Sequence, residues 1–281
     1  MMNKKISISF ICCVKNESLY ISKMIDTIIE SSPDFFEWEL ILIDDNSDDN
    51  TFDLVSKKFS SYQQIKVYRN SGLGKVSGTF EGLKRSKGEW IKFLDGDDYV
   101  SFDSLTFNDF KCDAFYHNYV RFGKTKINVY ISNSLSKNQE SWKYELRSIP
   151  KAMYFAKKSI FKNLLGFNDC MFEDLYINQN IQRYAKKINK VDKILYFYRQ
   201  HENNFYGDSF VGDRYKIIRM GRRIENMIKV LDIYFPDDNY NSSLNDYCIF
   251  LQKFSIIRLL RLIKSPKLFS KAVYYYLISK I

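Results

Sequence analysis

Three carboxylates crowd the end of one apolar strand. The segment 90–99 reads Trp-Ile-Lys-Phe-Leu-Asp-Gly-Asp-Asp-Tyr, so Asp95, Asp97 and Asp98 follow a strand that ends at Leu94. Because alternate residues of a strand point the same way, Asp95 and Asp97 converge if the extended geometry continues. Like charges this close repel unless a cation lies between them, and hard oxygen ligands suit Mg²⁺ or Mn²⁺. Mg²⁺ takes few protein carboxylates and adds water and phosphate oxygens, so the pattern predicts a metal-bridged diphosphate.

A second acidic cluster follows another apolar strand farther upstream. Asp44 and Asp45 come directly after four apolar residues, and Asp48 and Asp49 follow closely. Ligands of an open α/β sheet bind at the carboxyl ends of the strands, so two strands ending in carboxylates predict one shared site. Turn and helix-cap chemistry accounts for Asp48 and Asp49 ahead of a helix near Thr51, but it gives no reason for the first two.

The first 100 residues alternate between strand and helix patterns. Strands are predicted at 6–14, 38–43, 65–68 and 90–94, and helices at 19–30, at 51–59 and, after a glycine-containing loop, up to about 87. This alternation predicts a parallel, doubly wound α/β sheet. The loop glycines Gly72, Gly74 and Gly78 match neither the P-loop nor the dinucleotide fingerprint, so we assign them to loop flexibility.

The pattern changes from residue 113 onward. Mixed or antiparallel strands are predicted at 115–122, 127–131 and 152–155, followed by a helix at 175–187 and a helical region after 208. His117 lies on one of these strands among aromatic residues, so we expect it in the core.

Composition and charge narrow the possible classes. The 281 residues are 45% hydrophobic and 17% aromatic, which excludes a disordered chain. The five cysteines are odd in number, scattered and without metal-type spacing, which favours a reducing cytoplasm. Neither a signal peptide nor an apolar stretch of the roughly 18 residues that a membrane span needs is expected.

The net charge of +10 is distributed unevenly. Residues 1–110 hold 13 Lys and Arg against 18 Asp and Glu, whereas residues 111–281 hold 30 against 15. The half that carries the carboxylate clusters is therefore acidic and the rest is strongly basic. This asymmetry predicts two surfaces with different partners. Nucleic acid is not an expected partner, because no recognised module is present and the acidic half would repel it.

Taken together, these motifs resemble a family 2 glycosyltransferase of the GT-A fold, the class that builds bacterial surface polysaccharides such as capsule, O-antigen or lipooligosaccharide. The resemblance spans about residues 6–205 and rests on five segments in order, 14–17, 43–49, 87–98, 172–174 and 196–201. It implies a Rossmann-like, mostly parallel sheet flanked by helices. The implied domains are a catalytic domain at 1–208, with a nucleotide-binding half at 1–110 and an acceptor half at 111–208, and a helical basic region at 209–281.

The resemblance also implies residue roles around a nucleotide-sugar donor, with a UDP-sugar favoured. Asp45 is similar to the carboxylate that accepts from the nucleotide base, with Glu17 near the base or ribose. Asp95 is similar to the ribose- or diphosphate-side carboxylate, and Arg199 and His201 resemble lid residues that meet the diphosphate.

The remaining implied roles concern the metal and the chemistry. Asp97 resembles the ligand of a divalent ion, Mn²⁺ or Mg²⁺, and Asp98 can share that duty. Asp174 resembles the base that deprotonates a glycan or lipid-linked acceptor, and one base without a second carboxylate nucleophile implies inversion. Many relatives carry Ala-Arg-Asn where this chain has Gly-Thr-Phe at 78–80, so Lys75 is expected to supply the missing charge.

Other classes explain parts of the pattern. A haloacid dehalogenase-like phosphatase also places Asp-x-Asp after an apolar strand, but that motif usually opens the domain and continues with Thr or Val, whereas Tyr99 stands here. A nucleotidyltransferase needs a Gly-rich, Arg-containing first loop, which Val-Lys-Asn-Glu at 14–17 replaces. A non-catalytic nucleotide-sugar-binding protein would be expected to lack one of the carboxylates, and none is missing.

The last 29 residues form a basic segment with apolar faces. Residues 253–281 contain seven Lys and Arg and no Asp or Glu, and two amphipathic helices are predicted around the Ser-Pro at 265–266. Basic helices with aromatic and aliphatic faces bind anionic membrane surfaces, which favours a peripheral position on the inner face of the plasma membrane. The alternatives are that they cap the catalytic domain or form a homodimer contact.

Removal of residues 253–281 is predicted to release the protein from anionic liposomes while the catalytic domain stays folded. Each cationic residue near an anionic leaflet contributes about 1 kcal/mol before salt screening, so binding should also fall steeply with ionic strength. Sedimentation with anionic and with neutral vesicles measures this. An unfolded truncated protein would favour the capping or dimer alternative, and one that still sediments would place the membrane contact elsewhere.

Overall fold

The computed structural model describes residues 5–123, 128–130, 150–161 and 173–201. Within these ranges one sheet contains nine strands: β1 (Ile6–Val14), β2 (Phe36–Asp44), β3 (Ile65–Arg69), β4 (Trp90–Leu94), β5 (Tyr99–Val100), β6 (Ala114–Phe122), β7 (Asn128–Tyr130), β8 (Tyr154–Lys157) and β9 (Ile188–Arg199). The α-helices in the same ranges are α1 (Ile21–Ser31), α2 (Thr51–Lys58), α3 (Gly74–Arg85) and α4 (Glu173–Tyr184).

The carboxyl ends of the parallel strands β1, β2, β3 and β4 lie along one edge of the sheet, which we call the functional edge. The strand order is β3-β2-β1-β4-β8-β6-β9-β5, with β7 beside β6, and β1 pairs in parallel with both β2 and β4. Val14 lies opposite Asp44, and Asp44 lies opposite Arg69, so the carboxyl ends of three strands meet at one level. The predicted alternation is confirmed here, and the strands at 6–14 and 90–94 have the predicted bounds.

The second half of the sheet is mixed, as the sequence predicts. β8 runs antiparallel to both β4 and β6, whereas β9 runs parallel to β6 and antiparallel to β5. β9 was not predicted as a strand, although the motif at 196–201 includes its carboxyl end. This strand places Tyr196 and Arg199 beside the segment that follows β4, because Tyr99 pairs with Phe197.

The core forms because the central strands bury apolar side chains on both faces. Ile8, Phe10 and Cys12 of β1 are fully buried in one cluster with Met24 and Ile25 of α1. Aromatic rings extend this cluster beneath the mixed half of the sheet, where the rings of Phe115 and Phe155 stack at 4.9 Å and those of Phe10 and Phe102 at 5.3 Å. His117 is fully buried, as expected, and the free cysteines Cys12, Cys13 and Cys112 are buried too.

The assignment of Gly74 and Gly78 to a flexible loop is wrong, because α3 begins at Gly74. Gly74 has φ +84, a conformation that glycine adopts at little cost. A Cβ on Gly78 would lie 2.3 Å from the Cys13 Sγ, and one on Gly82 would lie 2.5 Å from the Ile11 Cγ2. These glycines therefore let α3 approach β1 closely, which brings Lys75 to the functional edge.

The other boundaries differ by a few residues. The helix predicted at 175–187 is α4, which begins at Glu173 and ends at Tyr184. The strand predicted at 152–155 is a 3₁₀ turn at Lys151–Met153 followed by β8. The predicted helical region 209–281 and the domain boundary at 208 lie outside the described residues. Within the described ranges, no helix combines the length and the apolar character that crossing a bilayer requires.

Candidate active site

The loops after β1 and β2 are fastened to each other at the functional edge. The Asn16 backbone N–H donates to the Ser47 Oγ at 2.9 Å, and the Asp48 N–H donates to the Asn16 Oδ1 at 2.8 Å. Asn16 and Asn46 have φ of 57 and 52, a left-handed conformation that asparagine tolerates better than most residues. The pairing fixes the backbone that carries the acidic clusters.

Asp49 has the capping role that the sequence predicts. Its carboxylate accepts from the Thr51 N–H at 2.9 Å, and its other oxygen accepts from the Ser18 N–H at 3.1 Å. Partial burial raises the pKa of Asp49, but the hydrogen bonds from Thr51 and Ser18 outweigh burial and lower the pKa to about 2. The Thr51 hydroxyl also accepts the Glu17 N–H at 2.9 Å, so the same helix start positions Glu17.

Asp44 and Asp45 support the loop that leads into α3. The fully buried Asp44 accepts from the Ser47 N–H at 3.1 Å, and its carboxylate lies 3.5 Å from the Arg69 guanidinium. Asp45 accepts from the Asn70 amide at 2.7 Å and from the Gly74 N–H at 2.8 Å, both through Oδ1. Asp44 thus stabilises the turn after β2 and also contacts the end of β3, whereas Asp45 holds the start of α3.

The strand does not stay extended through the second cluster, so the predicted reason for the convergence of Asp95 and Asp97 is wrong. β4 ends at Leu94, and the Asp98 N–H donates to the Asp95 carbonyl at 3.4 Å, which closes a turn. Gly96 permits this turn, because a Cβ there would lie 2.6 Å from the Val14 Cγ1. The turn, and not strand alternation, determines where the carboxylates point.

Asp95 lies between two lysines. Its Oδ1 is 2.6 Å from the Lys75 Nζ and 3.8 Å from the Lys151 Nζ. Burial raises the pKa of Asp95, but Lys75 and Lys151 outweigh burial and hold the pKa well below its usual range. The structure thus brings Lys75 to the acidic cluster, where the sequence analysis expects its charge.

Lys151 joins this carboxylate to the start of α4. Its Nζ lies 3.0 Å from the Glu173 Oε1 and 3.5 Å from the Asp174 Oδ1. Its backbone N–H also donates to the Asp174 Oδ1, at 3.0 Å. Burial lowers the pKa of Lys151, but Asp174 and Glu173 outweigh that effect and raise it above the usual range of a lysine.

The two carboxylates at the start of α4 differ in exposure and in acidity. The Glu173 side chain is 10% exposed, and although burial raises its pKa, Lys151 and Lys75 lower it below the ordinary value. The Asp174 side chain is 40% exposed. Desolvation by the surrounding protein, together with Glu173 and Asp95, raises the pKa of Asp174 above its ordinary value.

Asp98 is the most buried carboxylate of the turn after β4. Its Oδ1 accepts from the Arg199 N–H at 2.7 Å, and its carboxyl group also interacts with the Tyr196 hydroxyl. Within the described part of the chain, its buried Oδ2 has no close hydrogen-bond partner. Burial, Asp97 and Asp95 raise the pKa of Asp98 well above its usual range. The Tyr196 hydroxyl accepts the Asp95 N–H at 3.1 Å and supports the same turn from below.

Arg199 contacts the turn after β4 through the Asp97 backbone and the Asp98 side chain. Its Nε donates to the Asp97 carbonyl oxygen at 2.8 Å. Its guanidinium lies 4.7 Å from the ring centroid of Tyr20, 4.5 Å from that of Tyr99 and 4.7 Å from that of Phe122, distances typical of cation–π contacts. His201, the last described residue, belongs to a second unit that comprises Asp169–Phe172 and His201–Ile281.

The negative charge at this edge is the feature that favours a cation. Among the residues that the structure describes, no group of three or more His, Cys, Asp and Glu side chains is arranged so that it could hold a metal ion. The buried Asp98 Oδ2 without a partner nevertheless fits a divalent ion, because a cation would both pair that oxygen and offset the repulsion from Asp97.

A buried lysine lies below the site, in the middle of β4. The Lys92 Nζ is 2.7 Å from the His117 Nε2 and donates to the Ala152 carbonyl, the residue after Lys151. His117 Nδ1 lies 2.9 Å from the Asn118 carbonyl, which assigns the proton to Nδ1 and leaves Nε2 to accept from Lys92. Burial lowers the pKa of both groups. Through its contacts with His117 and the Ala152 carbonyl, Lys92 fastens the Lys151 turn to β4.

Sequence reasoning missed four residues that shape the site: Glu173, Lys151, Tyr196 and Lys92. Glu173 and Tyr196 lie in quoted motifs but received no role. Lys92 carried a signal, a charged residue inside an otherwise apolar strand. The sequence around Lys151 contains no such signal, because nothing near it indicates a contact with Asp95, 56 positions away.

Comparison with a family model identifies the amino-terminal part of the chain. Residues 9–106 match the model described as "Glycosyl transferase family 2". The matched segment contains Glu17, both acidic clusters and Lys75, whereas Asp174, Arg199 and His201 lie outside it. The match favours the glycosyltransferase interpretation over the phosphatase alternative.

Curated relatives agree with this family. The chain is 26% identical over 220 residues to the uncharacterized glycosyltransferase EpsJ of Bacillus subtilis, covering 70% of this chain and 62% of that protein. It is 28% identical over 209 residues to the minor teichoic acid biosynthesis protein GgaB of the same organism, covering 69% of this chain and 23% of that one. The chain therefore spans less than two thirds of the length of either relative.

A solved structure supports the fold. The S. aureus TarS fragment 1–349, crystallised with UDP-GlcNAc, aligns with a TM-score of 0.58 at 17% identity, over 98% of this chain and 91% of that one. This similarity confirms the predicted GT-A fold class.

Glu17 generates a prediction about pH. Burial and Asp97 raise the pKa of Glu17 to about 8, from about 4.5 in an unfolded chain. The folded state therefore holds a proton that the unfolded state releases, so the free energy of unfolding falls as the pH rises from about 4.5 to 8. The Glu17→Gln variant has no carboxyl group to titrate, so its free energy of unfolding should not fall in this way. The free energy of unfolding of the variant minus that of the wild type should therefore rise between about pH 4.5 and 8 and then stay constant.

Urea unfolding in buffers containing EDTA, at several pH values, measures this difference. The exposed Glu37 provides a matched control, because Glu37→Gln removes one surface carboxylate from β2. A Glu17→Gln difference that stays constant between pH 4.5 and 8 would contradict the assignment.

Proposed function

We propose that the chain transfers a sugar from a nucleotide-diphosphate sugar to a glycan or lipid-linked glycan hydroxyl, because residues 9–106 match the model of glycosyl transferase family 2. One observation carries the proposal. The Lys151 Nζ lies 3.8 Å from Asp95, at the donor-side edge of the sheet, and 3.5 Å from Asp174, at the start of α4. A donor-side carboxylate and a candidate base are therefore joined through one side chain.

Asp174 is the better base of the pair at the start of α4. A general base must reach the proton that it removes, and its pKa should approach the operating pH. Asp174 is 40% exposed with a raised pKa, whereas Glu173 is buried, paired with Lys151 and more acidic than usual. These differences support Asp174 as the group that accepts the proton of the acceptor hydroxyl.

The donor-binding roles stay proposals. Asp45 and Glu17 bind the nucleoside, and Asp95 binds the ribose or diphosphate side of the donor. Lys75 provides a half-exposed positive charge beside Asp95 that can neutralise phosphate oxygens. Arg199 meets the diphosphate, and it also supports the turn through the Asp97 carbonyl. The family resemblance gives His201 the role of a residue that meets the diphosphate.

A divalent ion, Mn²⁺ or Mg²⁺, would be held by Asp97, with Asp98 sharing the duty. The fit rests on the buried, unpaired Asp98 Oδ2 and on the accumulated negative charge. When bound, such an ion neutralises the leaving diphosphate.

The reaction is a single displacement. Asp174 takes the proton of the acceptor hydroxyl, whose oxygen forms a bond to the anomeric carbon as the bond from that carbon to the diphosphate oxygen breaks. The nucleoside diphosphate leaves with the bonding electrons, and Lys75 stabilises the charge that develops on it. Attack from the face opposite the leaving group inverts the anomeric centre.

The biological setting is part of the proposal. The teichoic acid role in the name of GgaB supports synthesis of a bacterial surface polymer, and the UDP-GlcNAc bound to TarS favours a UDP-sugar. The basic segment 253–281 suits a peripheral position at the inner face of the plasma membrane, facing the cytoplasm, where a lipid-linked acceptor would be found. A homodimer contact through the same segment is the competing proposal.

The Asp174→Asn variant should keep its affinity for the donor while turnover falls by at least about a hundredfold, the low end for general-base catalysis. An amide is nearly isosteric with the carboxylate but cannot take the proton. Calorimetry with the nucleotide sugar that best stabilises the wild type gives the affinity, and release of nucleoside diphosphate gives the turnover.

Asp192 provides the matched control, since its side chain is 79% exposed and lies 3.5 Å from the Lys190 ammonium. Its Oδ1 also accepts from the Asn118 amide at 2.8 Å, a hydrogen bond that the carbonyl oxygen of an asparagine can keep. Asp192→Asn should leave both quantities unchanged. Loss of donor binding in Asp174→Asn, with turnover per bound donor preserved, would assign Asp174 to the donor site instead.

A further inference from the structure

Lys151 is a buried cation among three carboxylates. Only 3% of its side chain is exposed, and its Nζ lies 3.0 Å from Glu173, 3.5 Å from Asp174 and 3.8 Å from Asp95. A buried ammonium is unfavourable unless it is paired, and here the pairing is threefold. The position therefore requires a positive charge and not merely an apolar stem.

The contact with Asp174 is doubled. The Lys151 backbone N–H donates to the Asp174 Oδ1 at 3.0 Å, and the ammonium of the same residue lies 3.5 Å from that oxygen. The main chain and the side chain of one residue thus fix one carboxylate oxygen. The 3₁₀ turn Lys151–Met153 that carries both groups is fastened to β4 by the hydrogen bond from Lys92 to the Ala152 carbonyl.

The charges around Asp174 act on it in opposite directions. Glu173 and Asp95 face it as like charges, whereas Lys151 and Lys75 face it as opposite charges. The Lys75 ammonium is 2.6 Å from Asp95 and half-exposed, so it mainly offsets that carboxylate. Among the described residues, Lys151 is the cation in direct contact with Asp174, and without it Glu173 and Asp174 would be adjacent anions that lack this contact.

We propose that Lys151 is a positioning residue for the transfer reaction, which orients Asp174 and keeps it ionised as a base while tying it to the donor-side carboxylate Asp95. This inference rests on the proposed function of Asp174. It assigns no direct contact of Lys151 with either substrate, and its effect passes through the carboxylate of Asp174.

The Lys151→Met variant tests the proposal, because methionine keeps much of the stem and removes the charge. An opposite charge within about 4 Å lowers the pKa of a carboxyl group by about one to three units, so Asp174 should titrate at least about one unit higher in the variant. The full-length protein, labelled with ¹³C at the aspartate side-chain carboxyl carbons, shows this by NMR. The signal that is missing in Asp174→Asn identifies Asp174.

Lys157 provides the matched control within the same segment. It pairs with Asp113 at 3.1 Å and lies opposite Trp90, at the start of β4 and away from the site. Lys157→Met also removes a paired lysine near the sheet, but the Asp174 titration should stay where it is in the wild type. An equal shift in both variants would show a general effect of charge and would overturn the proposal.

A second pair of variants avoids an unpaired buried carboxylate, in case Lys151→Met does not fold. Glu173→Gln removes the like charge, and the double variant K151M/E173Q removes the ion pair as a whole. Asp174 should titrate higher in the double variant than in Glu173→Gln, because the two differ only in the ammonium. An Asp174 pKa that is equal or lower in the double variant overturns the proposal.

The pH profile of transfer separates this inference from the proposed function. Since the base must be ionised, the acidic limb of kcat/KM should move to higher pH in Lys151→Met, so its deficit should shrink as the pH rises. Lys151→Arg, which restores the charge, should return the limb towards the wild type. A uniform deficit at every pH would show a merely structural role and overturn the inference. An inactive wild type would refute the proposed function alone, because the NMR titration still decides the role of Lys151.

Discussion

Repulsion between carboxylates at one edge of the parallel sheet governs the architecture around the site. The ends of β2 and β4 and the loop after β1 bring Asp45, Glu17 and the Asp95–Asp98 turn to one level, and the protein offsets this charge in several ways. Lys75 and Lys151 pair with Asp95, and backbone N–H groups from Gly74 and Arg199 pair with Asp45 and Asp98. Burial, and after it the neighbouring carboxylates, still raises the pKa values of Glu17 and Asp98.

This residual charge connects the fold to the chemistry. A site with an excess of carboxylates is suited to a ligand that binds together with a cation, or to a ligand whose own groups displace the internal ion pairs. The lysine pairs of Asp95 are of this kind, since phosphate oxygens can compete for the exposed Lys75 whereas Lys151 stays buried. In the proposed mechanism, Lys75 therefore supplies a binding charge and Lys151 a positioning charge.

The sequence predicted those features that depend on local pattern. The strands β1 and β4 were predicted at their observed bounds because each is a short apolar run, bounded at its carboxyl end by polar residues. The cap formed by Asp49 and the buried position of His117 follow from equally local chemistry. Because ligands of an open α/β sheet bind at the carboxyl ends of its strands, the sequence also predicted one shared edge for both acidic clusters.

The errors and omissions arise from contacts that the local pattern does not encode. Gly78 is typical of a loop, yet it lies in α3. Glycine is required there because Cys13 leaves no room for a side chain. The turn after Leu94 depends on the close packing of Gly96 against Val14, which strand alternation cannot reveal. β9 was not predicted because its first half contains four polar residues among six. The role of Lys151 was not predicted because its partners come from the turn after β4 and from α4.

The most direct test of the account is binding of nucleotides to the functional edge, measured by thermal unfolding of the full-length protein with UDP-, GDP-, dTDP- and CMP-sugars, with and without Mn²⁺. A ligand that binds only the folded state raises the melting temperature in proportion to its binding free energy. The account predicts that at least one nucleotide sugar stabilises the wild type, more strongly with Mn²⁺, and that Asp97→Asn removes the metal-dependent part. A wild type that none of these ligands stabilises, or an Asp97→Asn variant with unchanged metal dependence, would contradict it.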